Sequence, residues 1–161
     1  MKRRRLFAFV MAFAAVCLIA QNKSASKKSD IAGNWINAWN SHDPDKLIAV
    51  FTSDVVYEDV PFGAINHGSA ELRKFAEDEF ASVPDLKVEL LNSSIQADHG
   101  TIEWKFSGTD KGIYKTGKEF SVRGVSVIEI NNGRVSRNVD YYDAATLMKQ
   151  VGVLPAGTEA K

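Results

Sequence analysis

The C-terminal half of the chain alternates between apolar and polar residues, which is the pattern of strands that bury one face. Four such runs cover residues 86–97, 101–108, 120–130 and 134–142. The turns between them all contain glycine: Asp98-His99-Gly100, Thr116-Gly117-Lys118 and Asn131-Asn132-Gly133. The pattern predicts a four-stranded antiparallel meander. Its last strand leads into a short helix over 144–150, with Asp143 as the N-cap.

The N-terminal half instead has apolar residues at helical spacing. The predicted elements are helices over 31–40 and 44–51, a strand over 55–60, and a third helix that follows Ser69. Each helix is preceded by a residue whose side chain can cap it, in turn Asp30, Asp43 and Ser69. Helices followed by a meander are typical of an α+β domain, with the helices packed on one face of a bent sheet.

The first 29 residues have a different character. Four basic residues, Lys2 to Arg5, precede an almost unbroken apolar run that ends at Ala20, which is the pattern of an export signal. Residues 1–20 are therefore predicted to be a cleaved signal peptide or an uncleaved membrane anchor, with a lipoprotein acylated at Cys17 as a further alternative. Residues 21–29 are polar and predicted to be a linker. The folded domain is expected over 30–155, and a flexible tail over 156–161.

Charge and cysteine content narrow the function. The chain has 20 basic and 20 acidic residues, and loss of the basic N-terminus would leave an acidic protein that is unsuited to nucleic acid. Cys17 is the only cysteine, so the cleaved chain would have neither a disulfide nor a reactive thiol. The three histidines, at 42, 67 and 99, lack the spacing of metal ligands, and no metal site is expected.

Two stretches resemble a known superfamily. They are the opening WNSHDPDKLIAVFTSDVVYED, residues 39–59, and the ending with TGK, NNGR, YYD and QVG. Together they resemble the nuclear transport factor 2-like superfamily, and within it the SnoaL-like polyketide cyclases, also called ester cyclases. The resemblance covers residues 30–154, with Lys115 where the family usually has proline. It implies a cone: a curved antiparallel sheet wrapped around an apolar cavity that the N-terminal helices close. It also implies acid/base chemistry on carbonyl compounds without a cofactor, or a cavity that has no chemistry.

The same resemblance implies that Asp140 is the acid/base. In the cyclases an aspartate at the end of the last long strand serves in an intramolecular aldol closure, and Asp140 matches it. Burial in an apolar cavity would raise the pKa of this carboxyl towards the range that proton abstraction needs. We expect Ser126 to face Asp140 across the last hairpin, where the cyclases tend to have histidine, a stronger acid than serine. The alternative is that Asp140 is a solvated or structurally bonded strand residue.

Asp59 is the second catalytic candidate, because it aligns with the base of ketosteroid isomerase, another member of the superfamily. Trp35 and Ser126 stand where that isomerase has its oxyanion tyrosine and its protonated aspartate. Steroid isomerisation itself is therefore not expected, since an indole N–H is a weaker acid than a phenol. Asp59 is expected to line the cavity, or else to be a bonded carboxylate at its rim.

Trp35, Tyr57, His67, Ser126 and Tyr142 complete the predicted set as substrate-binding residues. Only one of two adjacent strand residues can face inward. Tyr142 is two residues after Asp140 and should share its face of the strand, whereas Tyr141 should point the other way. His67 precedes the third helix and could reach the mouth of the cavity. The alternatives are packing for the tyrosines and a structural or solvated role for His67.

Three functions remain open from the sequence. The first is an exported cofactor-free cyclase, isomerase or hydrolase that acts on a hydrophobic, carbonyl-bearing small molecule. The second is a secreted module that binds such a molecule without turnover, and the third is a structural or partner-binding domain. A homodimer is expected through the outer sheet face, where Val125 and Val127 point outward. The protein is expected in the periplasm or medium, or attached to a membrane only through an uncleaved N-terminal segment.

Overall fold

A computed structural model describes residues 30–155, and the predicted signal or anchor, the linker and the tail lie outside them. The helices are α1 (Ile31–Asn40), α2 (Pro44–Ile48), α3 (Gly68–Ser82) and α4 (Ala144–Gln150). The strands are β1 (Phe51–Asp59), β2 (Ala64–His67), β3 (Lys87–Ile95), β4 (His99–Thr109), β5 (Glu119–Asn131) and β6 (Arg134–Tyr142). Over the described range, every helix falls short of the length and apolar character needed to cross a membrane.

The strands form one sheet in the order β2-β1-β6-β5-β4-β3. Neighbouring strands are antiparallel except β1 and β6, which pair in parallel. Shifts of register interrupt β1, β3 and the β5–β6 pair, and such irregularities bend a sheet. The predicted α+β class with a curved sheet is confirmed, although one pair of strands is parallel.

The helices cover the concave face of this sheet. Helix α1 packs against β3, α3 packs against β1, and α2 packs on α3. Large side chains fill the space between the layers, among them Trp35 and Trp39 of α1 and Tyr57 of β1, all at most 5% exposed. The core is therefore unusually aromatic on the side where the helices meet the sheet.

Three predicted helix caps are confirmed. The Asp30 carboxylate accepts the backbone N–H of Gly33 at 2.9 Å, and Asp43 accepts that of Asp45 at 2.9 Å. Asp143 accepts the backbone N–H of Thr146 at 3.0 Å. Each bond satisfies a donor that the first turn of a helix leaves unpaired.

The boundaries around β1 and α3 differ from the prediction. Helix α2 ends at Ile48 rather than at Phe51, because the chain from Phe51 onwards pairs with β6. The N-cap of α3 is His67 rather than Ser69. No side chain caps this helix; the Glu71 carboxylate instead accepts the backbone N–H of His67 at 2.6 Å. Strand β2 was not predicted, since it has only four residues and lies at the sheet edge.

The last hairpin also turns differently from the prediction. Asn131 pairs with Arg134, so the loop has two residues, Asn132 and Gly133, with φ of 50° and 76°. Positive φ at both positions is typical of the tight hairpin turn that follows the twist of the strands. A register shift between Glu129 and Ile130 then brings Ser126 opposite Asp140, as predicted.

The predicted Thr116-Gly117-Lys118 turn belongs to a longer loop between β4 and β5, and Asp110 organises it. The Asp110 carboxylate is fully buried. It accepts the backbone N–H groups of Tyr114, Lys115 and Thr116 at 2.9, 3.2 and 2.9 Å, and the Thr116 hydroxyl at 2.8 Å. Burial raises the pKa of this carboxyl, but these hydrogen bonds outweigh burial and hold the pKa below its usual value.

Candidate active site

A narrow cavity of about 50 Å³ lies between the helices and the concave face of the sheet. It is lined by Trp35, Trp39, Tyr57, Asp59, Phe75, Glu79, Leu86, Val88, Trp104, Phe106, Asp140 and Tyr142. All three tryptophans of the chain are in this set. The volume has room for on the order of three or four water molecules, so this conformation admits a small group or one end of a larger molecule.

A row of polar residues crosses the sheet at the base of this cavity. Ser126 on β5 pairs with Asp140 on β6, and Asp140 pairs in turn with Asp59 on β1. Residues paired across neighbouring strands point to the same face. Strand pairing alone therefore brings the three side chains together, on the face that the helices cover.

The carboxylate of Asp140 accepts three hydrogen bonds. Its Oδ1 accepts the Ser126 hydroxyl at 2.6 Å and the Asn138 amide N–H at 2.7 Å. Its Oδ2 accepts the hydroxyl of Tyr57. Each carboxylate oxygen can accept about two hydrogen bonds, so Oδ1 is fully used and Oδ2 keeps one lone pair. That lone pair can take a proton.

Two indole N–H groups hold the donors around Asp140 in place. Trp104 donates to the Ser126 hydroxyl oxygen at 2.8 Å, and Trp35 donates to the Asn138 side-chain oxygen at 3.1 Å. The Trp104 ring lies directly over Gly124, where a Cβ would be only 2.2 Å from the ring. A glycine at position 124 is therefore required for this tryptophan to reach Ser126.

Burial has the largest effect on the pKa of Asp140, and it raises that pKa. Loss of water around the carboxylate raises the pKa of Asp140 from 3.8 to about 6, although the bonds from Ser126, Tyr57 and Asn138 act in the opposite direction. The negative charge of Asp59 raises it further. At neutral pH the group is mostly ionised and only about one unit from its pKa, which is the condition that a general base needs.

Asp59 forms the second tyrosine–carboxylate pair. The Tyr142 hydroxyl donates to Asp59 Oδ2 at 3.0 Å, and the backbone N–H of Phe62 donates to its Oδ1 at 3.2 Å. The two pairs cross, because Tyr57 of β1 donates to β6 while Tyr142 of β6 donates to β1. Burial raises the pKa of Asp59 above its ordinary value, and the two hydrogen bonds only partly offset it.

Glu79 of α3 is a third carboxyl in the cavity wall, and the sequence analysis missed it. Within residues 30–155 its side chain makes neither a hydrogen bond nor an ion pair. Burial, then the charges of Asp59 and Asp78, raise the pKa of Glu79 to about 7. A sequence signal existed: Glu79 follows Phe75 by four residues and Leu72 by seven, so it lies on the apolar side of the helix.

A second space of about 140 Å³, called the outer chamber below, adjoins the cavity and shares part of its wall. Glu79, Phe106 and Tyr142 line both spaces, and the chamber is completed by Phe62, Ser82, Ile113 and Leu147. Phe62, which lines only the outer chamber, is 43% exposed. Glu79 therefore lies in the wall that the inner cavity and the outer chamber share.

The structure brings most of the predicted site residues to one place. Trp35, Tyr57, Asp59, Asp140 and Tyr142 line the cavity, whereas Ser126 lies behind Asp140 and acts on it through a hydrogen bond. Tyr141, the neighbour of Tyr142, is 48% exposed on the opposite face.

His67 is not part of this constellation. It is exposed at the start of α3 and lines neither the inner cavity nor the outer chamber. Asn138 was not singled out from the sequence. Its position two residues before Asp140, on the same face of β6, was the available signal.

The described residues contain no group of three or more histidine, cysteine, aspartate or glutamate side chains placed to hold a metal ion. The three carboxyls of the cavity also have no basic neighbour, since lysine, arginine and histidine are absent from the described lining of both spaces. The site can therefore transfer protons between a carboxyl and a small molecule that packs against the aromatic side chains.

Comparison with known proteins gives a consistent result. A model of the SnoaL-like domain matches residues 32–138. Cyclase aurE of Calcarisporium arbuscula is 30% identical over 100 residues, which cover 62% of this chain and 74% of that protein.

Two solved structures agree in fold. A Catenulispora acidiphila protein with a ketosteroid isomerase-like fold, in complex with trimethylamine, matches with a TM-score of 0.71 and 24% identity over 76% of this chain and 92% of its own. IdmH of Streptomyces antibioticus, assigned as a polyketide cyclase, matches with a TM-score of 0.68 and 18% identity over 78% and 99%. The fold expected from the sequence resemblance is thereby confirmed.

Proposed function

We propose a function that starts from the family: the chain belongs to the SnoaL-like domain family. The protein acts as an exported, cofactor-free acid/base enzyme of the cyclase, isomerase or hydrolase type, on a hydrophobic small molecule that bears a carbonyl group. One observation carries this proposal: the Asp140 carboxyl lies buried in an aromatic cavity, with three fixed donors and a pKa raised to about 6.

Asp140 Oδ2 would take a proton from the carbon next to the substrate carbonyl. The electron pair of the broken C–H bond then forms an enolate. In a cyclisation the enolate carbon bonds to a second carbonyl carbon of the same molecule, and the alkoxide that results takes the proton back from Asp140. In an isomerisation the proton returns to a different carbon. Neither path consumes a cofactor or a co-reactant.

The developing enolate oxygen needs a hydrogen-bond donor. Trp39 supplies the best candidate, because it is 5% exposed and lines the cavity, and its indole N–H has no hydrogen-bond partner within residues 30–155. The N–H groups of Trp35 and Trp104 are already used by Asn138 and Ser126.

The experiment is exchange of α-protons for deuterium in D₂O, followed by proton NMR on acetophenone, cyclohexanone and 2-tetralone. We expect the protein to accelerate exchange for the ketones that enter the cavity. The Asp140→Asn variant should be slower by about two to four orders of magnitude. The control is Asp54→Asn, which changes an exposed carboxyl on β1. Equal rates for the Asp140→Asn variant and the unmodified protein would remove Asp140 from the mechanism, and no acceleration at all would favour binding without turnover.

The second candidate function is a secreted binding module that does no chemistry. Two observations favour it: the inner cavity is small, and a structural relative is in complex with trimethylamine, a compound without a carbonyl group. Such a module would bind the ketones above without exchanging their protons, so the same experiment separates the two functions.

Export rests on residues 1–20, which lie outside the described range. The protein recovered from its host should begin near Gln21 and be found outside the cytoplasm. Intact mass measurement tests this directly. A soluble cytosolic protein that retains residues 1–20 would contradict it.

A further inference from the structure

We propose that the ligand of this cavity carries a positively charged amine, which lies against the aromatic wall beside Glu79. This inference deepens the proposed function, since it adds the charge of the substrate to its carbonyl group. The inference that a cation binds depends only on the residues that line the cavity, not on the proposed catalysis. The position of the carbonyl end, near Asp140, rests on the proposed function.

The aromatic lining is the first observation. Seven of the twelve side chains that line the inner cavity are aromatic: Trp35, Trp39, Tyr57, Phe75, Trp104, Phe106 and Tyr142. The face of an aromatic ring carries partial negative charge and attracts a cation, and tryptophan does so most strongly. A cage of several such rings is the usual way in which proteins recognise alkylated ammonium groups.

The charge of the lining is the second observation. Asp59, Glu79 and Asp140 line one small cavity, and the described residues place no lysine, arginine or histidine in its wall or in the outer chamber. A ligand with a phosphate or carboxylate in this space would meet only repulsion. A cation would relieve the repulsion that the three carboxyls exert on one another.

The bonding of the three carboxyls shows where the cation belongs. Asp140 accepts three hydrogen bonds from other residues and Asp59 is bonded by Tyr142 and Phe62. Glu79 has no such partner in the part of the chain that the structure describes. It is partly buried in the wall that the two spaces share. A cation beside it would supply the missing partner in a space that Phe106 and Tyr142 also line.

The N–H of Trp39, whose ring lines the cavity, has no hydrogen-bond acceptor within residues 30–155. A buried donor without an acceptor costs free energy, and an oxygen on the ligand would remove that cost. The ligand would therefore combine an acceptor oxygen at the inner end with an amine at Glu79. Its apolar remainder would extend past Glu79 into the chamber lined by Phe62, Ile113 and Leu147.

The test compares two probes of the same shape, choline and its uncharged isostere 3,3-dimethyl-1-butanol, at constant ionic strength and pH 8. Binding to the purified chain is followed by tryptophan fluorescence, because all three tryptophans line the cavity. We expect saturable binding of choline at least about tenfold tighter than that of the alcohol. The Glu79→Gln variant should bind choline about tenfold more weakly and the alcohol equally well.

The matched control is Glu77→Gln, an exposed carboxyl on the same helix, which should leave both affinities unchanged. Near-ultraviolet circular dichroism confirms that each variant retains the aromatic core. Equal affinities for the two probes, no binding of either, or an unchanged choline affinity in the Glu79→Gln variant would each overturn the proposal. Choline binding without ketone exchange would retain this inference while the proposed catalysis fails.

Discussion

Replacement of Asp140 by asparagine is expected to stabilise the folded protein above pH 6. The carboxyl has a pKa raised from 3.8 to about 6 by burial, and one unit corresponds to about 1.4 kcal/mol. Ionised Asp140 therefore destabilises the fold by about 3 kcal/mol relative to a solvated carboxylate. Because the folded-state pKa is the higher one, this destabilisation is absent below pH 4, grows between pH 4 and 6, and is constant above.

Asparagine retains the shape of the side chain and removes the charge. Its oxygen can still accept from Ser126 and Asn138, whereas its NH₂ would face Tyr57, whose hydroxyl must then accept a hydrogen bond instead of donating one. That change costs about 1 kcal/mol and does not vary with pH. The stability of the variant relative to the unmodified protein should therefore rise by about 2 kcal/mol between pH 4.5 and 7.5.

Urea unfolding of both proteins at pH 4.5, 6 and 7.5 measures this difference. Other buried carboxyls, such as Glu79, titrate in both proteins, so most of their contribution cancels. The Asp54→Asn variant should show no such pH-dependent gap, because its carboxyl is exposed. A constant difference between Asp140→Asn and the unmodified protein across the three pH values would refute the argument, because Asp140 would then be an ordinary carboxylate and a poor candidate for the base.

Three further outcomes follow from the same contacts. Tyr57→Phe removes a donor to Asp140, so the pKa of Asp140 should rise further, which a carbon-13 NMR titration of the carboxyl would detect. Asp110→Ala should lower the free energy of unfolding by about 2–4 kcal/mol, since it leaves several buried donors unpaired; Asp98→Ala, in an exposed turn, should have little effect in urea. Val127 is 40% exposed on the outer sheet face, so sedimentation should show a homodimer that Val127→Asp dissociates, and a monomer at high micromolar concentration would contradict this.

Strand parity explains why much of the site was predictable. Ser126, Asp140 and Tyr142 alternate along adjacent strands, and side chains of the same parity on paired strands share a face. Their common orientation agrees with the prediction because the register shift between Glu129 and Ile130 offsets the shorter turn; the alternation of polar residues alone does not contain that shift. The pairing of Asp59 with Asp140 is different, because it joins β1 and β6 in parallel across more than 70 residues, and only the family resemblance pointed to it.

The missed features depend on contacts that local patterns do not contain. Phe51 begins a strand rather than ending a helix because it pairs with β6. The helical spacing of apolar residues over 44–51 contains no information about that distant strand. Glu79 was not singled out from the sequence, although its spacing from Phe75 placed it on the apolar side of α3. Its burial depends on the packing of α3 against β1, which the sequence of the helix does not contain.

The number of donors on each carboxyl bears on which one would act as the base in the proposed mechanism. Asp140 is the more deeply buried, so burial alone would give it a higher pKa than Glu79. Three hydrogen bonds offset part of this rise and hold the pKa of Asp140 at about 6. Glu79 reaches about 7, because its ordinary pKa is higher, its side chain has no hydrogen bond within residues 30–155, and the charges of Asp59 and Asp78 act in the same direction. Near neutral pH Asp140 is thus mostly ionised, whereas the pKa of Glu79 lies close to the pH of the solution. A cation beside Glu79 would remove its proton by favouring the charged form. Occupancy of the proposed amine position would thereby leave both carboxyls ionised, with Asp140 available as the proposed base.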